Sequence, residues 1–408
     1  MDKILHLVGL AKRAGRLEAA GQWRRGSLSP EGVRALYGRV VPMSATRMDT
    51  YHSCRFQYFL RFGLAAKPRQ AAKFRPSDYG TFAHAVLEEV LSRAEAQGGV
   101  AALAADPALC DRLARDAADR YERETLAGLE GETARFRYLF DRMKGAVLSV
   151  TRSVVDELAA SDFTPVRFEL GFGSGKELPP VEVDNGVALR LTGFVDRVDE
   201  WVQDGTRYLR VVDYKTGKKS FDFADVEDGR GLQMLLYLFA LTRHADHFGP
   251  EPVQPAGVLY IPARNPLVDG ERGMTDAQVE KARGRALRRQ GLVLGEGPVL
   301  EAMEHGEEGR RFLPDRPEFQ VSREQLEELD RYVTHTLRQT AGTLAAGSIA
   351  ADPFWRDGEH NACRWCDYRA ACHFEPERGD SVRYRRKLEG KEFWSWLDRK
   401  EGGEEDGH

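Results

Sequence analysis

Long apolar runs, paired cysteines and an excess of one charge are all scarce in this chain of 408 residues. No window approaches the roughly 20 apolar residues that a membrane helix needs, so no membrane partner is expected. The opening Met1-Asp-Lys-Ile-Leu-His lacks the layout of a secretory leader. Five cysteines, an odd number in so long a chain, do not suggest a disulfide scaffold, and the expected location is the reducing cytoplasm. A net charge of −4 excludes a uniformly basic nucleic-acid binder. There is no internal repeat. An ATP-binding loop is also lacking. Gly171-Phe-Gly-Ser-Gly-Lys176 resembles one, but Leu170 stands where its first glycine belongs and Glu177 follows the lysine. The pattern fails and no ATP site is expected.

What is present is a composition normal for a globular protein, 42% hydrophobic and 30% charged, in a length that allows two or three domains or one core with insertions. The expected division is an N-terminal remnant or linker (1–43), a central α/β unit (44–375), and a basic segment with a disordered acidic tail (376–408). A helix is expected from Ser44 through Phe62, with Thr46 and Asp49 as its capping pair. Another should run over 80–96, and 98–160 reads as a helical insertion of two or three helices. Strands are expected at 165–172, 187–200 and 207–214, the last two joined by the hairpin signal Gln203-Asp-Gly-Thr206. An apolar helix over 229–246 and a strand over 255–261 come next. A polar insert (263–320) with a basic helix at 276–290 leads to an amphipathic helix over 322–346. Between Arg55 and Arg75, cations alternate with aromatics and no acid interrupts them. Such a mixture suits nucleic acid, although aromatics at helical spacing are more often core.

Four of the cysteines divide as one and three: Cys54, then Cys363, Cys366 and Cys372. The terminal trio has the spacing of metal ligands, and thiolates bind zinc or iron–sulphur clusters. Spacing alone leaves both open, including a zinc knuckle completed by His360 or His373. Cys54 completes a set of four only if the fold joins the two ends of the chain. Cys110 is then left as a free thiol.

The hairpin carries the chemistry. Its strands contain Gly193-Phe-Val-Asp196 and Val211-Val-Asp213-Tyr-Lys215. Residues two apart on a strand share a face, so Asp213 and Lys215 point the same way, and Asp196 can join them. Two carboxylates and a lysine suit metal-assisted phosphodiester hydrolysis: the carboxylates hold a hard divalent cation and the lysine orients water or steadies developing charge. A lone Asp-x-Lys is usually an exposed ion pair, but apolar flanks place these charges in central strands, where an idle charge is costly. Upstream, His84 and Glu88 share a helix face, and His84 is a candidate third ligand. Downstream, Gln233 and Tyr237 share another, from which they could contact phosphate or fix the lysine.

The ordered set His84, Asp196, Asp213-x-Lys215 and Gln233-x3-Tyr237 resembles the RecB-type branch of the PD-(D/E)XK nucleases. With the four cysteines it is similar to the iron–sulphur members of that branch, above all the C-terminal part of AddB-type helicase–nuclease subunits. Leu36-Tyr-Gly-Arg39, Ser44-Ala-Thr-Arg-Met-Asp-Thr-Tyr-His-Ser-Cys54-Arg-Phe-Gln-Tyr-Phe59, Arg289-Gln-Gly-Leu-Val-Leu294 and Cys363-Arg-Trp-Cys366 through Cys372-His-Phe374 carry that likeness. It covers about residues 35–395. It implies a restriction-endonuclease-like mixed sheet flanked by helices, and a [4Fe–4S] cluster on Cys54, Cys363, Cys366 and Cys372 that staples the ends together. It also implies magnesium-dependent cleavage of DNA with His84, Asp196, Asp213 and the Tyr214 carbonyl as ligands, in partnership with an AddA-like helicase–nuclease for recombinational repair. The chain departs from the family pattern in having Arg55 where proline commonly follows the first cysteine, and in lacking the helicase-like N-terminal region.

Overall fold

The computed structural model describes residue 13 and residues 25–67, 76–125, 134–217, 219–264, 273–306 and 310–401. Eleven strands lie among the described residues: β1 Val40–Met43, β2 Thr164–Phe172, β3 Glu182–Asp184, β4 Ala188–Leu191, β5 Gly193–Gln203, β6 Thr206–Lys215, β7 Val253–Pro262, β8 Gln290–Leu294, β9 Gln320–Val321, β10 Phe354–Trp355 and β11 Arg383–Tyr384. Six of them form the main sheet in the order β2-β5-β6-β7-β8-β9. Its β6–β7 and β8–β9 pairs are parallel and the rest antiparallel, which makes the sheet mixed, as expected.

Local chemistry explains its centre. Asp204 (φ +51°) and Gly205 (φ +74°) take the two left-handed positions of a tight turn, which sets the β5–β6 register at Gln203 opposite Thr206. Parallel strands cannot be joined by such a turn. The β6–β7 connection instead carries the helix Gln233–Arg243, whose residues 234–241 are all buried and which packs on both strands. The Arg323–Ala345 helix starts at a capping box of Ser322 and Gln325 and buries residues at three- and four-residue spacing from Leu326 to Leu344.

Several sequence boundaries move. The expected strand over 187–200 is two, because the chain leaves one sheet after Leu191 and enters another at Gly193. Residues 263–320 are not simply an insert, since Gln290–Leu294 and Gln320–Val321 complete the main sheet. The basic helix ends at Ala286, and the apolar one begins at Gln233 instead of 229. The division at 43 falls inside the fold, because β1 pairs with β4. So does the one at 376: the helix Gly390–Glu401 buries Phe393, Trp396 and Leu397, and Phe393 meets Phe223. The expected tail beyond Glu401 and most of the first 34 residues lie outside the described residues. Three helices, Val100–Ala105, Pro107–Thr125 and Ala134–Ala159, occupy the helical insertion.

The helix expected through Phe62 is broken at Cys54, whose backbone is extended (φ −167°, ψ 122°). Asp352 starts the second piece by accepting from the Arg55 amide at 2.9 Å. The first piece is capped by Ser44, not by Thr46 and Asp49; Asp49 instead accepts from the Gly231 amide at 2.8 Å. Tyr58 is fully buried and Phe62 packs against the core, so aromatics of the basic segment serve packing up to its described end at Lys67.

Behind the hairpin lies a buried charge network. Arg197 and Asp199 on β5 and Arg210 on β6 share the face toward the Ala134–Ala159 helix, with Glu157 on that helix and Arg289 just before β8. Arg197 and Arg210 both donate to Asp199, at 2.7–2.9 Å. Glu157 accepts from Arg210 at 3.2 Å and from Arg289 at 3.0 Å. Arg197 also donates to the Tyr214 hydroxyl at 2.9 Å. Three arginines, each 0% exposed, thus share two carboxylates.

Candidate active site

The opposite face of the same hairpin carries the hydrolytic candidates. Asp196 and Asp213 come next in register after the Arg197–Val212 pair and lie across from the network. Lys215 sits two residues beyond Asp213, and its ammonium meets both Asp213 oxygens, at 2.9 and 2.7 Å. Gln233 Nε2 donates to Asp213 at 3.1 Å while its Oε1 lies 3.4 Å from the Lys215 ammonium. Tyr237, one turn along, places its hydroxyl 3.4 Å from Gln233. Of the two roles open to this helical pair, the structure places them beside the lysine and the carboxylate, and Gln233 ties the two together.

A second group converges beside the first. His84, from the helix Pro76–Ser92, puts Nε2 3.1 Å from the Tyr214 carbonyl and 3.4 Å from Asp196 Oδ2. Asp196 Oδ2 in turn accepts from the Tyr214 amide at 2.9 Å. Three of the four expected metal-ligating groups therefore share one spot. Asp213 is their neighbour, but its oxygens face Lys215 and Gln233. The structure adds a residue that the sequence did not point to: Glu169 Oε1 lies 3.5 Å from His84 Nδ1. His84, Glu169 and Asp196 have ligand atoms within 4.8 Å of one another, the only such group among the described residues. Glu169 is a non-glycine residue in the left-handed region (φ +46°), on β2 beside Asp196 on β5. Strain of this kind gathers at functional sites. A left-handed glutamate inside a strand leaves no mark in a sequence.

The electrostatics follow from burial. Desolvation, and then the Asp213 charge, push the Asp196 carboxyl up to about 7 against the pull of His84 and the Tyr214 amide. Burial also raises Asp213, with Lys215 opposing. Burial disfavours the His84 imidazolium, yet the Glu169 hydrogen bond, Asp196 and the Tyr214 carbonyl outweigh it and hold its pKa up to about 9. Acids that resist ionising together are eased by a nearby positive charge. Two carboxylates, an imidazole and a carbonyl are the hard and borderline donors that magnesium or manganese takes.

The four cysteines line one cavity of about 300 Å³, together with Phe56, Leu60, Trp355 and Tyr368. The fold does bring Cys54 to the C-terminal trio here. A single zinc ion at about 2.3 Å from each sulphur would hold its ligands within about 4 Å of one another. No three of these sulphurs lie within 4.8 Å of one another. Thiols spread around an apolar cavity fit a polyatomic cluster better than one ion. Neither histidine weighed for a zinc knuckle lines it; His360 is tied to Asp357 at 2.8 Å. Arg25 closes one side: it lies 4.0 Å over the Phe56 ring, pairs with Asp380 at 2.7 Å and approaches Cys372 Sγ at 3.6 Å. Cys110 is buried as a free thiol in the helical insertion.

Among the described residues no helix is long and apolar enough to cross a membrane. The chain is 30% identical to the B subunit of the ATP-dependent helicase/deoxyribonuclease of Clostridium novyi, over 92% of this chain and 34% of that protein. The same subunit of Acetivibrio thermocellus is 31% identical over 94% and 35%, and that of Desulforudis audaxviator 32% over 92% and 33%. The chain thus spans about a third of the length of the curated relatives it matches. Residues 42–373 match the PD-(D/E)XK nuclease superfamily, and this span contains His84, both aspartates, the lysine and all four cavity cysteines, so the chain belongs to that superfamily.

Proposed function

We propose that this chain is a magnesium-dependent DNA nuclease that trims DNA ends for recombinational repair, as the nuclease part of an AddB-type subunit working in the cytoplasm with an AddA-like helicase–nuclease. The observation that carries the reading is the convergence of His84 Nε2, Asp196 Oδ2 and the Tyr214 carbonyl beside the Lys215–Asp213–Gln233 triad. Deoxyribonuclease in the names of the relatives supports DNA as the substrate. Magnesium bound there would supply positive charge against the phosphate and a lower pKa for water. The chain's own part is positional. Asp213 and Gln233 aim the Lys215 ammonium, which steadies charge on the phosphate as it develops and orders water in line with the scissile bond.

Digestion of single- and double-stranded DNA tests this. The chain should degrade DNA with magnesium and not with a chelator. The magnesium needed should climb as pH falls through about 7, because Asp196 then holds a proton that competes with the cation. Equal inactivity with and without metal would sink the proposal.

For the cysteine cavity we infer a [4Fe–4S] cluster, supported by the cavity volume and the wide separation of the thiols. Its role is structural: Cys54 belongs to the N-terminal helices and the trio to the C-terminal segment. Anaerobically purified protein should be brown with broad visible absorption, and Cys54→Ala should lose that absorption and unfold earlier, whereas Cys110→Ala should keep the colour. A colourless parent containing zinc would overturn the assignment.

A further inference from the structure

A groove of about 320 Å³ opens beside Lys215, and its walls come from three connections far apart in sequence. Gly217, Lys219 and Ser220 follow β6, Arg264 follows β7, and Arg288 precedes β8. Lys215 lies opposite Pro262, and Tyr260 opposite Gln290, so all three connections meet at one end of the sheet. That end holds the carboxyl termini of the parallel pair, where open α/β sheets bind their ligands.

The charge there is of one sign. Lys215, Lys219, Arg264 and Arg288 line the groove, and among the described residues no carboxylate does. Lys215 is neutralised by Asp213, and Arg288 pairs with Asp315. Lys219 acts at a distance on the buried Asp49 and Asp213 carboxyls without pairing directly with either, and Arg264 makes no ion pair among the described residues. Cations that line a concave wall with no carboxylate among them focus a positive field, and they do so next to the lysine of the hydrolytic site.

We propose that this groove grips the sugar–phosphate backbone of one DNA strand beside the scissile phosphate, with Lys219, Arg264 and Arg288 as phosphate-binding residues. The inference rests on the nuclease reading for its ligand and adds the path that the strand takes. A groove this size, open at Lys215, takes one strand and not a duplex, so substrate is held single-stranded on this side of the cut. Contacts to phosphate carry no base preference, which suits an enzyme that degrades whatever end it meets.

Binding, read separately from cleavage, tests the proposal. A fluorescent oligothymidylate is titrated with the chain in chelator, at several salt concentrations. Lys219→Ala with Arg264→Ala should weaken binding about tenfold and flatten the plot of log K against log salt by about 1.4, since each phosphate contact on a single strand contributes about 0.7. Lys219→Glu should weaken it further, and Lys391→Ala, exposed on the terminal helix, should change nothing. With magnesium, the double variant should raise KM and spare kcat. Unchanged affinity and salt slope in a correctly folded double variant would overturn the groove, as would an equal loss on blunt duplex. A parent that binds the oligonucleotide but never cleaves with magnesium would instead overturn the nuclease reading.

Discussion

Asp213→Ala is expected to cut magnesium-dependent cleavage by at least about 10³-fold while leaving the chain folded. Asp213 is 2% exposed and, among the described residues, is the only one that holds both the Lys215 ammonium and the Gln233 amide. Without it the lysine loses its aim and the proposed cation site loses a neighbouring charge. Stability should move the other way. Asp213 helps to raise Asp196 to about 7, so two acids are kept together at a cost. The metal-free parent should lose stability as pH rises from about 4 to about 7, because the folded chain keeps on Asp196 a proton that the unfolded chain gives up. In Asp213→Ala that slope should shrink, since one source of the raised pKa is gone. Single-turnover rates and urea unfolding at several pH values measure both halves. A variant that cleaves like the parent would remove Asp213 from the site.

Glu157→Ala is expected to cost about 3–5 kcal/mol of folding stability, enough to threaten expression. Glu157 is 1% exposed and, among the described residues, it and Asp199 are the only carboxylates paired with Arg197, Arg210 and Arg289. Its loss leaves three cations around one carboxylate in a dry interior, and an uncompensated buried charge is among the most damaging single changes. Adding Arg289→Met to Glu157→Ala removes one of those cations and should restore part of the loss, which identifies charge balance and not packing as the cause. Glu31→Ala, which breaks an exposed pair with Arg34, should be silent. The urea midpoint is the readout, and a Glu157→Ala midpoint equal to the parent's would refute the account. The network backs the strands that carry Asp196 and Asp213, and Tyr214 belongs to both sides, bonding Arg197 by its hydroxyl and His84 by its carbonyl. Activity should therefore fall in step with stability.

These two predictions differ in how far the sequence leads to them. Asp213 and Lys215 were legible because strand period and turn chemistry are local: the Asp204-Gly205 turn fixes the register, and two residues along a strand share a face. Gln233 and Tyr237 were legible from helical spacing. The back of the same hairpin was not. Arg197, Asp199 and Arg210 look like solvated charges until Glu157 and Arg289 arrive from distant parts of the chain. Glu169 escaped because its place depends on a left-handed backbone and on pairing between β2 and β5. Strands β8 and β9 escaped because short polar-flanked runs resemble loops until a sheet claims them.

The cysteine cavity has a consequence in time. Cys54 precedes Cys363 by 363 − 54 = 309 residues. At about 5–20 residues per second a ribosome needs about 15–60 s to pass from one to the other. Over that interval His84 through Tyr237 are all delivered, and the three cysteines that face Cys54 across the cavity are still missing. A chain released early would carry all the residues of the candidate active site and a single thiol of the four. Translation thus supplies the candidate active site first and the last wall of the cysteine cavity about 15–60 s later, so any closure of that cavity comes after the active-site residues are already in place.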